Sequence, residues 1–174
     1  GLPAPNGSTC VVQANANTLR SFLYNRQVEQ FLSRAVEEDL FEVYYQPIYS
    51  IRKKRFVTLE ALSRLRHPEL GWISPDVFIR LAEKNRLIDA LTDLQLRRVC
   101  RFLKSHEDVA RQIDSVKVNL SALNLMQEHC AERLIAILDE YALPHRLFQF
   151  EITETVATEY STRLSRAVDA FSQA

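Results

Sequence analysis

The hydrophobic and polar positions change from a helical spacing to strict alternation several times along the chain. Apolar residues between Val28 and Val36 recur every three or four positions, which predicts an amphipathic helix. In the next segment, FEVYYQPIYS, apolar and polar residues alternate from Phe41 onward, which predicts a strand. Pro47 either ends this strand or places it at the edge of a sheet. The polar run IRKKR then predicts a solvated turn.

The rest of the chain repeats the combination of a strand with one or more helices. Further strands are predicted in FVTLEALSRL, SVKVNLSAL and LFQFEITET. Ser74 suits the N-cap of the helix after the second strand, with Pro75 at its first position. Helical patterns also cover residues 87–103, 130–141 and 161–174. Recurring strand–helix units of this kind predict an α/β fold with a largely parallel sheet.

Composition and charge narrow the class of protein and of partner. The 174 residues carry 22 basic and 22 acidic side chains, so a broad basic surface for DNA or RNA polymers is not predicted. The cysteines Cys10, Cys100 and Cys130 lie far apart, which indicates a reduced intracellular protein. Because no apolar run reaches the length of a membrane span, we expect a cytoplasmic location, as a separate protein or as the cytoplasmic part of a membrane-anchored one.

The first residues differ in composition from the rest of the chain. Pro3, Pro5 and Gly7 lie among small and polar residues, a pattern typical of linkers. We therefore predict a linker or tail from an upstream region over residues 1–20, followed by one domain over residues 21–174.

Each predicted strand carries a polar side chain at or near its carboxyl end. In parallel α/β sheets and barrels, ligands bind at that end of the strands, so these side chains are expected to converge. Two carboxylates and an amide are oxygen donors that suit Mg²⁺ or Mn²⁺ better than zinc or copper. The candidates are Gln46, Glu60, Arg64, Asn119, Glu151 and Glu154.

Each of these residues can also be explained by an ordinary structural role, without any part in a functional site. Glu60 alone is more simply a solvated acid near a strand end, and Asn119 with Ser121 could form an ordinary turn. Glu151 and Glu154 could be a surface pair, and Gln46 an edge-strand residue. Their recurrence on successive strands favours a site.

Five segments of the sequence together resemble the EAL domain family, whose members cleave cyclic di-GMP. They are YYQPI, LEALSRL, GWISPDVFIRLAEKN, VKVNLSA and FEITET, and the resemblance covers about residues 28 to 174. It implies a TIM-type (β/α)8 barrel whose first strand is antiparallel to the others, with only about the first four strands present here. The domain would be truncated before the D-D-F-G-x-G loop of the family.

The resemblance also implies roles for the candidate residues. Glu60, Asn119 and Glu151 match metal-binding positions of the family, and Glu60 is thereby also a catalytic position. Glu154 matches a glutamate that steadies a catalytic loop. Gln46 and Arg64 resemble substrate contacts, and the guanidinium of Arg64 suits a phosphate oxygen.

The function implied by the resemblance is that the parent domain hydrolyses cyclic di-GMP to linear pGpG with a pair of Mg²⁺ or Mn²⁺ ions. The resemblance does not decide whether these 174 residues form an enzyme by themselves, and we expect this chain alone to be inactive. A catalytically inactive cyclic di-GMP receptor and a protein-interaction module are the alternatives. A homodimer and an upstream sensory or GGDEF-type domain are the further partners that the resemblance implies.

Overall fold

A computed structural model of the chain describes residues 15–152. The helices are α1 (Ala16–Glu37), α2 (Pro75–Lys84), α3 (Ile88–Ser105), α4 (Glu107–Gln112), α5 (Ala122–Met126) and α6 (Cys130–Glu140). The strands are β1 (Phe41–Ser50), β2 (Arg55–His67), β3 (Gly71–Ile73), β4 (Ser115–Leu120) and β5 (Phe148–Ile152). The elements follow the order α1-β1-β2-β3-α2-α3-α4-β4-α5-α6-β5, so runs of strands are followed by runs of helices.

The strands form one mixed sheet in the order β1-β2-β4-β5, with β3 added to the end of β2. β1 is antiparallel to β2, whereas β2, β4 and β5 are parallel to one another. Pro47 lies within β1, which continues to Ser50 after an irregularity at Ile48 and Tyr49. Of the two alternatives predicted for Pro47, the edge position is the one observed, and the proline is tolerated there because β1 has a partner on one side only among the described strands.

Helices cover one face of the sheet and form the core with it. Val116, Val118 and Leu120 of β4 are fully buried against leucines of α3 and α6, as their alternation predicts. A second cluster joins α1 and α2 to Phe41 and Leu65. Since side chains alternate along a strand, the residues between these apolar positions project from the opposite face of the sheet.

Several details were not visible in the pattern. β3, α4 and α5 have only three, six and five residues, too few to show a period. Ser74 is the N-cap residue of α2, but its side chain makes no capping hydrogen bond. α1 begins at Ala16, upstream of the predicted linker boundary. The helix predicted over 161–174 lies outside the described residues, and no described helix is long and apolar enough to cross a membrane.

The two described cysteines are core residues. Cys100 is fully buried and Cys130 is 3% exposed. Burial raises the pKa of the Cys100 thiol to about 12 and also raises that of Cys130, because the thiolate would lose its hydration.

We therefore expect neither cysteine to react with iodoacetamide in the folded chain at about pH 8, since the thiolate is the reactive form. Peptide mass spectrometry after native labelling would measure this at each position. The same reaction in guanidinium chloride is the control and should modify both residues. Rapid modification of Cys100 in the folded chain would contradict its burial.

Candidate functional site

Glu60 and Asn119 are in direct contact on adjacent parallel strands. Glu60 is centrally placed on β2, in register with Lys117 of β4, and Asn119 follows two residues later on the same face. The Asn119 Nδ2 atom donates a hydrogen bond of 3.2 Å to Glu60 Oε1. Because the bond uses the amide nitrogen, Asn119 Oδ1 is the atom that would face a cation.

Glu151 adjoins the same pair from the next strand. It is in register with Asn119, but its carboxylate forms an ion pair with the ammonium group of Lys117. The sequence reasoning missed Lys117. The signal was present in VKVNL, where Lys117 and Asn119 alternate with buried valines and so must share a face.

The predicted substrate contacts lie on β1 and β2. Gln46 is exposed and lies opposite Glu60 in the antiparallel pair. Arg64 is half-buried toward the end of β2, where its guanidinium carbon lies 5.7 Å from the centre of the Tyr44 ring. Its NH1 group also donates to the Ser63 carbonyl oxygen at 3.0 Å, so the guanidinium is held from two directions. Glu154 lies outside the described residues.

A cavity of about 310 Å³ opens beside these residues, between α2, α3 and the carboxyl ends of β2 and β4. Its polar lining includes Arg64, Asn119, Ser121 and Glu83, and its apolar lining comes largely from the two helices. A pocket with an apolar wall and a few convergent polar groups is typical of small-molecule sites. Arg64 and Asn119, predicted independently from two strands, therefore border one space.

The wall of this cavity rests on a buried polar network centred on Asn124, which sequence reasoning also missed. Asn124 is fully buried. Its Oδ1 atom accepts from the Ser121 backbone N–H at 3.0 Å and from the Thr92 hydroxyl at 3.1 Å. Its Nδ2 atom donates to Asp89 Oδ1 at 2.7 Å, and Arg133 donates to the same oxygen at 2.9 Å. The network fixes the start of α5, directly after Asn119.

We expect Asn124→Ala to lower the free energy of unfolding by about 2–3 kcal/mol, because it removes a fully buried side chain that accepts hydrogen bonds from Ser121 and Thr92 and donates one to Asp89. Urea unfolding followed by circular dichroism would measure the change. Asn17→Ala is the matched control and should cost less than about 1 kcal/mol, since Asn17 is exposed on α1. Equal losses for the two variants would contradict the role of the network.

The donor atoms fit a hard divalent cation. Glu60, Asn119 and Glu151 present oxygen ligands from neighbouring strands, and Mg²⁺ and Mn²⁺ prefer such ligands. Within residues 15–152, no three His, Cys, Asp or Glu side chains cluster in a way that could hold a metal. The set consists of two carboxylates and an amide, and one of the carboxylates is engaged by Lys117.

Comparison with known proteins identifies the family. The EAL domain profile matches residues 29–174. The chain is 38% identical over 128 residues to the cyclic di-GMP phosphodiesterase NbdA of Pseudomonas aeruginosa. The aligned segment covers 74% of this chain and 16% of that relative. The structure resembles that of the PaMucR phosphodiesterase in complex with c-di-GMP, with a TM-score of 0.77 and 27% identity over 84% of this chain and 60% of that one.

A further structural match concerns the fold alone. The structure of the Xanthomonas citri FimX EAL domain in complex with c-diGMP matches with a TM-score of 0.73 at 17% identity. The matched region covers 89% of this chain and 60% of the FimX chain. These matches confirm the predicted α/β fold as part of a TIM-like barrel with an antiparallel first strand. The chain spans about a sixth of the length of NbdA. It belongs to the EAL domain family.

Proposed function

We propose that the domain to which this chain contributes hydrolyses cyclic di-GMP to linear pGpG in bacterial second-messenger signalling. The observation that carries the proposal is that Asn119, which donates a hydrogen bond to Glu60, lines one cavity together with Arg64 at the carboxyl ends of β2 and β4. This is the end at which α/β barrels bind ligands. The names of NbdA and PaMucR support the same reaction.

In this proposal Arg64 binds a phosphodiester oxygen of the substrate. Its guanidinium offers donors in a fixed fork, and the Tyr44 ring beneath it limits the directions in which that fork can point. Gln46, in register with Glu60, would contact the substrate from the β1 side. The cavity of about 310 Å³ is at the small end for ligand pockets, so it would accept only part of a dinucleotide.

Glu60, Asn119 and Glu151 are the residues that would hold Mg²⁺ or Mn²⁺. When bound, divalent ions supply positive charge to the phosphodiester and lower the pKa of a water molecule. The two carboxylates and the Asn119 carbonyl oxygen supply negative charge and fixed direction from three adjacent strands. Asn119 also orients Glu60 through its amide hydrogen bond.

The remainder of the site is proposed to come from outside the described residues. Glu154 would steady a catalytic loop, and a D-D-F-G-x-G loop with a later lysine and glutamate would follow this chain in the complete domain. Coverage of 60% of the PaMucR chain supports this division. We further propose that the complete domain is a cytoplasmic homodimer preceded by a sensory or GGDEF-type region joined through residues 1–20.

The test is to incubate the complete domain with cyclic di-GMP and Mn²⁺ or Mg²⁺ and to separate the products by liquid chromatography. We expect conversion to linear pGpG that stops when the metal is chelated. The 174-residue chain is the matched comparison, and we expect it to convert none.

Two other outcomes would overturn the proposed reaction. Binding of cyclic di-GMP without cleavage by the complete domain would identify a receptor. Neither binding nor cleavage in the presence of metal would identify a protein-interaction module. Calorimetric titration with cyclic di-GMP separates these two outcomes.

A further inference from the structure

Lys117 occupies a central position among the proposed metal ligands. It is in register with Glu60 on one side and lies two residues before Asn119 on the same face of β4. On the other side its ammonium group donates to Glu151 Oε1. The lysine therefore supplies a positive charge to the same face on which the carboxylates of the two neighbouring strands are placed.

Partial burial strengthens the interaction of the Lys117 ammonium group with its neighbours. The Lys117 and Glu151 side chains are 29% and 41% exposed, so water screens their attraction only in part. Glu60 and Glu151 lie on the two strands that flank β4, and like charges on one face of a sheet repel unless a cation lies between them. An ammonium group and a divalent ion also repel, so both cannot gain the full attraction of Glu151 at once.

We propose that Lys117 is a positioning residue that acts as a built-in counter-ion for the metal ligands. Its ammonium group holds Glu151 in the metal-free chain and releases that carboxylate when a divalent ion binds. The lysine thereby orders the ligand set in advance and lowers its affinity for divalent ions. This inference rests on the proposed role of Glu151 as a metal ligand.

The experiment is a Mn²⁺ titration of the full chain, with free Mn²⁺ measured by electron paramagnetic resonance. Lys117→Met keeps the apolar stem and removes the charge. We expect it to bind Mn²⁺ on the order of three- to tenfold more tightly than the original chain, because no ion pair has to be broken. Lys117→Gln provides a second neutral variant if Lys117→Met folds poorly.

Three controls separate this role from a general effect of charge. Lys53→Met removes an ammonium group that contacts Asp114 at 2.8 Å, before the start of β4, and should leave Mn²⁺ affinity unchanged. Lys117→Arg keeps the charge and should bind Mn²⁺ like the original chain. In a Glu151→Gln background, Lys117→Met should give less than half of its original gain in affinity.

An unchanged or weaker Mn²⁺ affinity in both neutral variants would overturn the inference, and so would an equal gain in Lys53→Met. An absence of Mn²⁺ binding in all variants would overturn it as well. Failure of the proposed function has a different signature. In that case the complete domain would not cleave cyclic di-GMP, while the dependence of Mn²⁺ affinity on Lys117 would stand.

Discussion

Replacing Glu60 by Gln in the complete domain is expected to slow the proposed hydrolysis of cyclic di-GMP by about a hundredfold to a thousandfold. The substitution keeps the size of the side chain and an acceptor for the Asn119 amide, but it removes the negative charge that a divalent ion requires. Steady-state kinetics at saturating Mn²⁺ would measure the loss. The fold should persist, because Glu60 lies on the face of β2 opposite the buried Ala61 and Leu65.

Glu107→Gln is the matched control for this prediction. Glu107 is an exposed acid on α4, where its carboxylate pairs with Arg111 at 3.1 Å. Its loss should leave the rate within about twofold, as expected for a surface substitution far from the site. If Glu60→Gln retained the rate of the Glu107→Gln variant, Glu60 could not be part of the catalytic machinery.

Replacing Phe78 by Ala is expected to lower the free energy of unfolding by about 3–5 kcal/mol, the usual range for a buried phenylalanine. Phe78 of α2 is fully buried, and its ring packs edge-to-face on Phe41 of β1 with centroids 5.5 Å apart. The variant would leave a void where α2 joins the sheet. Chemical denaturation followed by circular dichroism would measure the shift in midpoint.

Phe56→Ala offers the same chemical change at an exposed position. Phe56 is 55% exposed and makes an edge-to-face contact with Tyr49, so its removal should cost less than about 1 kcal/mol. A similar loss in both variants would mean that α2 is not packed on the sheet in solution as described.

The elements that could be predicted from the sequence are those long enough to show a period. Alternation of apolar and polar residues predicts β1, β2, β4 and β5. In β4 the alternation arises because each apolar residue packs against a helix while the residues between them do not. The elements that were missed are too short for this signal. The antiparallel direction of β1 came from the family resemblance, because alternation is the same in both directions.

The site was predictable only to the level of a shared face. Alternation places Lys117 and Asn119 on one side of β4, but it does not say which neighbours they meet. That depends on the register with two other strands at once, which brings Asn119 to Glu60 and Lys117 to Glu151. The contact of Arg64 with Tyr44 likewise depends on the pairing of β1 with β2. Roles for individual residues therefore came from the family motifs.

The division of the sheet into a packed face and a polar face has a consequence for how such domains diverge. Along β4, Val116, Val118 and Leu120 are buried in the core, while Lys117 and Asn119 lie on the other face among the proposed metal ligands. Selection can therefore act on the two sets of positions almost separately. A descendant that has lost one of the proposed acidic ligands is expected to keep its fold, and so could be retained as a sensor without the proposed catalytic activity.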